Sequence, residues 1–127
     1  MLKVEQIDHV ALTVRDVEGS ASWYERVLGL ERRREEAWGD YPLMMCAGST
    51  CLALFPATTD DPSPRPEYDT IAMRHVAFRV NREGFKEAQE RFAELGLPFS
   101  FEDHTVAHSI YIADPDGHRL EITTYEV

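Results

Sequence analysis

Two histidines and one glutamate are the residues of this chain best placed to do chemistry. His9 heads the phrase HVALTV and His75 heads HVAFRV, nearly the same six residues written twice. Glu121 lies in LEIT (120–123), which falls against LALF (52–55) when the two halves are aligned on those phrases. The position matching Glu121 in the first half is Ala53. A carboxylate on an inward face is costly without a counter-charge, and neutral imidazoles provide none. A divalent cation does. Two imidazoles and one carboxylate leave open positions on a metal, the donor set of non-haem Fe(II) oxygenases. Fe(II) is thus the first expectation for a metal held by His9, His75 and Glu121, with Mn, Ni or Zn as alternatives.

The alignment continues beyond the histidines. HVALTVRDVEGSASWYERVLGL (9–30) lies against HVAFRVNREGFKEAQERFAELGL (75–97) with one inserted residue, an internal duplication. Each copy reads as strand, then helix. Val10, Leu12 and Val14 share one strand face, opposite Ile7, His9, Ala11 and Thr13, and Val76, Phe78 and Val80 stand opposite His75, Ala77 and Arg79. Val17, Ala21, Tyr24 and Leu28 form a stripe at helical spacing, matched by Phe85, Ala88, Phe92 and Leu95. Gly29 and Gly96 are expected helix stops. Hairpins follow, one turning at Gly48-Ser49 and one at Asp114-Pro115-Asp116-Gly117, with extended pieces near 31–38 and 98–102.

The expected fold is therefore α+β: two tandem βαβββ modules forming a curved mixed sheet around a metal cleft, helices outside. All of 1–127 reads as one domain. Module one runs to about residue 57 and module two from about 71, and the proline-rich stretch about 58–70 reads as a connector. Thirteen Lys and Arg against 23 Asp and Glu give a net charge of −10, which opposes nucleic acid or an anionic membrane as partner. The segment MLKVEQIDHV lacks the apolar run of a secretion signal, so the expectation is a cytoplasmic protein whose Cys46 and Cys51 are packed, reduced thiols.

IDHVALTVRDVEGSASWYERVLGL, RHVAFRV and SIYIADPDGHRLEI together resemble the vicinal oxygen chelate superfamily over essentially the whole chain. That group includes glyoxalase I, bleomycin-resistance proteins, fosfomycin-resistance transferases and extradiol ring-cleaving dioxygenases. The resemblance implies a small-molecule substrate and a homodimer. Glyoxalase I generally takes a fourth metal ligand where Ala53 stands. Bleomycin-resistance proteins dispense with the triad kept here. Fosfomycin transferases commonly carry a hydroxyl residue where this chain has Ala11, and basic residues where Phe101 would fall. Extradiol enzymes match best around DHTVAHSIYIADPDGHRLEI, with a tyrosine ten residues before the glutamate, here Tyr111.

One departure stands out. Extradiol enzymes usually supply an acid–base histidine upstream of the second metal ligand, where this chain reads TTDDPSPRPEYD. His104 and His108 are the available substitutes, His108 preferred although Ser109 has the better inward parity; His118 reads as structural. Thr13, Phe55 and Arg79 share the interior parity and are expected to touch substrate, Arg79 with an ordinary ion pair as its other role. Trp23, on the less apolar side of its helix, hints at subunit packing. The leading expectation is a metal-dependent, dioxygenase-like enzyme acting on a small aromatic or oxygen-rich substrate. A non-redox lyase, isomerase or thiol transferase is the second, and a binding module without metal the third.

Overall fold

The computed structural model describes residues 1–127 and divides them into two compact units, Met1–Pro62 and Ser63–Val127. In the first, strand β1 (His9–Val14) leads into helix α1 (Val17–Leu28), followed by β2 (Glu31–Arg33), a single 3-10 turn at Glu36–Trp38, β3 (Leu43–Ala47) and β4 (Thr50–Pro56). The second repeats the order as β5 (Val76–Arg79), α2 (Arg82–Glu94), β6 (Ser100–Asp103), β7 (His108–Ala113) and β8 (Arg119–Thr124). Each unit is a four-stranded mixed sheet with one helix. The strand orders are β1-β4-β3-β2 and β5-β8-β7-β6, with the first pair parallel and the others antiparallel. The expected α+β duplication of βαβββ modules is what the chain forms.

The same local device starts both helices. Asp16 caps α1 by accepting from the Gly19 amide at 3.1 Å, and Asn81 caps α2 by accepting from the Gly84 amide at 2.8 Å. A side chain at Gly19 would meet the Asp16 carboxylate at 2.6 Å, so the carboxylate would have to shift from its capping position. Gly29 ends α1 in the left-handed region at φ 66°.

Alternation along the strands sorts each sheet into two faces. In β1, Leu12 and Val14 are buried while His9, Ala11 and Thr13 are exposed. Helix α1 packs on β3 and β4, and its Tyr24 is fully buried near Leu52 and Leu54 in the same core. Phe92 of α2 is likewise fully buried, with Ile110, Leu120 and Ile122 in the core of its unit. These side chains are the main apolar burial that holds each unit together.

Three expectations are corrected. Trp23 is buried, edge-on to the Tyr24 ring at 5.0 Å, so it fills the core of its own unit instead of presenting a subunit surface. Cys46 and Cys51 form a disulfide, not two thiols. They are directly opposed in the β3–β4 hairpin with Cα atoms 4.1 Å apart, a proximity set by register, which compartment reasoning could not see. The extended piece at 31–38 shrinks to β2 plus the 3-10 turn.

Candidate metal and proton-transfer site

The register of the second sheet builds a site from small pieces. On the face away from α2, β8 presents Arg119, Glu121 and Thr123, and β7 presents Ala113, Tyr111 and Ser109 directly opposite them. Ala77 of β5 pairs with Glu121 from the other side, and its methyl group leaves room beside the carboxylate. His75, immediately before β5, reaches Glu121: Nε2 lies 3.5 Å from Oε1.

This pair is not a good hydrogen bond, being too long. The separation does suit two donors on one cation, since bonds of about 2.1 Å near right angles leave donors roughly 3 Å apart. Glu121 is 12% exposed, and neither lysine nor arginine forms an ion pair with it. The His75 Nδ1 is buried without a hydrogen-bond partner. A half-desolvated carboxylate facing an imidazole nitrogen fits a divalent cation in donor type and spacing. Two ligands are what this unit offers, and nowhere does the structure gather three or more His, Cys, Asp or Glu around one point.

Tyr111 is the centre of the polar network. Its hydroxyl lies 3.0 Å from His104 Nε2, Glu121 is its cross-strand neighbour, and its ring meets His75 edge-on at 5.7 Å. Burial, then the bond to Glu121, pushes the phenol up to about 12, so it stays protonated and able to donate at neutral pH. His104 Nε2 also sits 3.7 Å from a Glu102 carboxylate oxygen. Beneath them Ser109 donates to Thr123 at 3.0 Å, a buried bond that ties β7 to β8.

The remaining expected site residues fall as follows. His108 has the parity of Ile110 and lies on the helix side, its ring against Phe101 and Phe85 and its Nε2 3.6 Å from Asp103. The imidazole next to the Tyr111 hydroxyl is that of His104, from the turn between β6 and β7. Arg79 makes no ion pair; its guanidinium stacks on the Tyr125 ring at 4.4 Å, a cation–π contact the carboxylate-rich composition concealed. In the first unit, His9 and Thr13 are exposed and Phe55 is 39% exposed. The His9 Nδ1 bonds the Asp8 carboxylate at 2.8 Å, which orients the ring and leaves Nε2 outward, as a carboxylate does behind a metal-bound imidazole. Adjacency of Asp8 to His9 was the available signal. Ala53 is buried between Ala11 and Met44.

The chain belongs to the glyoxalase/bleomycin resistance protein/dioxygenase superfamily, whose sequence model matches residues 6–122. Glutathione transferase FosA of Serratia marcescens is 27% identical over 94% of this chain and 80% of its own. Catechol-2,3-dioxygenase of Bacillus subtilis is 26% identical over 91% of this chain, which spans 40% of that longer protein. A glyoxalase/dioxygenase from Nostoc punctiforme has the same fold, with a TM-score of 0.78 at 25% identity, covering 94% of this chain and 90% of the other. Members of one fold differ in chemistry, so the site has to decide the function. No helix is long and apolar enough to cross a membrane.

Proposed function

We propose that this chain is a metal-dependent enzyme of dioxygenase-like type acting on a small aromatic or oxygen-rich substrate. His9, His75 and Glu121 are the ligands, with His9 supplied by the same chain or by the second copy of a homodimer. Iron(II) is the first choice of cation, ahead of manganese, nickel or zinc. Bound there, the cation would supply Lewis acidity and a site for oxygen. The observation that supports this reading most is the cluster of His75, Glu121, Tyr111 and His104 on one sheet face.

The protein's own residues have separable tasks. The Tyr111 oxygen accepts the hydrogen bond of a substrate hydroxyl, and its own proton points to His104 Nε2, 3.0 Å behind. As substrate gives its proton to the phenol oxygen, the phenol proton passes to His104, and the reverse transfer returns it. Thr13 and Phe55 of the first unit are proposed to contact substrate, and His108 supports the fold of β6 and β7.

A second reading is non-redox thiol transfer on the same ligands. Its support is the likeness to glutathione transferase FosA, which extends over 80% of that protein against 40% of the dioxygenase. Oxygen uptake separates the two. Fe(II)-loaded protein should consume oxygen with a panel of catechols, and Tyr111→Phe should slow it. No uptake, with thiol loss in the presence of an epoxide, would replace the first reading by the second. Neither activity, with ligand affinity unchanged in Glu121→Ala, would leave a binding module.

A further inference from the structure

Arg65, Arg74 and Arg119 converge on one tyrosine. Their guanidinium carbons lie 5.4, 4.5 and 3.9 Å from the centroid of the Tyr68 ring. No two of these cations are therefore separated by more than about 10 Å, within the reach of their mutual repulsion at ~0.1 M salt. In a chain with 23 acidic residues, none of the three has a carboxylate partner. Arginines elsewhere do: Arg32 pairs with Glu18 and Glu25, Arg34 with Glu18, and Arg91 with Glu94.

Two of the three arginines, Arg65 and Arg119, line a cleft with Tyr68, and Arg74 lies outside its wall. Arg65, Tyr68, Phe99, Ser100, Tyr111 and Arg119 are among the walls of a cavity of about 660 Å³ in the second unit, with Glu67 a carboxylate on its border. Arg65 is anchored by a 3.0 Å bond from Nη2 to the Arg74 carbonyl, and its Cδ occupies the space beside Gly117, where any side chain would have to start 3.9 Å away. Arg119 is paired with Ala113 across β7 and β8, and both line the cleft. The next inward row along the same two strands is Tyr111 and Glu121, roughly 7 Å further on.

We propose that Arg65 and Arg119, held on Tyr68 with the charge of Arg74 beside them, form a subsite for an oxyanion, the carboxylate or phosphonate of a small substrate. Clustered guanidinium groups without a carboxylate partner are relieved by one anion, and the planar donors of a guanidinium match two of its oxygens at once. The segment 65–68 is thus a wall of the binding cleft as well as a connector. That the opposite end of the same molecule reaches the His75–Glu121 pair rests on the proposed function. Binding of the anion does not.

The test uses full-length, metal-free protein in a buffer without phosphate. Benzoate, phenylphosphonate and benzyl alcohol are titrated while amide shifts are followed. At least one anion should bind, shifting Tyr68, Ser100 and Arg119 amides, with benzyl alcohol far weaker. Arg119→Gln should weaken that anion about tenfold or more, and Arg65→Gln should do likewise if the first variant fails to fold. Preference between the two anions identifies the oxygen group. Neither anion binding better than the alcohol, or folded variants binding as the native protein does, would overturn the proposal. Manganese(II) titration of the native protein and Glu121→Ala is run alongside: anion binding kept while the native protein takes up no metal would sink the metal reading alone.

Discussion

The two modules share a scaffold and differ in what they place on it. Where the second has Glu121 opposite Tyr111, the first has Ala53 opposite Met44. One row along, Arg119 faces Ala113 in the second, and the disulfide-linked Cys51 faces Cys46 in the first. Both copies keep a histidine at the head of the first strand. The first module has kept its packing and closed its hairpin covalently, while the second holds the carboxylate, the phenol and the arginines. A duplicated fold can thus load one copy more heavily with polar and charged side chains without changing topology.

The sharpest way to break that comparison is through the shared core. Tyr24→Ala and Phe92→Ala each remove a fully buried ring and should cost about 3–5 kcal/mol in denaturant unfolding. Equal losses would show that the copies are stabilised alike, and a loss confined to one would show that only that copy anchors the fold. Next in size is the chemical contrast: Tyr111→Phe should lower kcat/KM about 100-fold, whereas Met44→Leu at the equivalent place should change it less than about twofold.

Removing the disulfide separates the modules again. A bridge closing so short a loop is worth about 2 kcal/mol, so Cys46→Ala with Cys51→Ala should lower the stability of the first module by that order while leaving the Tyr111 chemistry in place. The smallest effect belongs to the surface of α1. Hydrogen bonding to Arg32 holds the Glu18 carboxyl below its ordinary value of 4.5. Its stabilisation is therefore present above that value and is lost as pH falls through the lower, folded one. An NMR titration of Arg32→Gln should show Glu18 returning upward, with a stability difference that closes in acid.

Much of this was legible in the sequence because duplication is a pattern of positions. The repeated His-Val-Ala phrase, the helical stripe and the Leu-Gly-Leu ends located both modules. Parity alone put Glu121 and Tyr111 on one face. What escaped depends on distances between segments. The Cys46–Cys51 bond follows from hairpin register, which composition does not encode. His104 reaches Tyr111 because the turn after β6 folds back, whereas parity placed His108 against Phe101 and Phe85. The arginines gather on Tyr68 from residues 65, 74 and 119, and nothing local to any of them signals the meeting.

The central claim is that each copy contributes a histidine to one cation. Manganese(II) titration followed by electron paramagnetic resonance tests it directly, since the signal of the free ion disappears on binding. The native protein should hold one ion per chain, and His9→Ala, His75→Ala and Glu121→Ala should each weaken it by more than about 100-fold. Native-like binding by His9→Ala would contradict the account, because the first module would then have no part in the metal site.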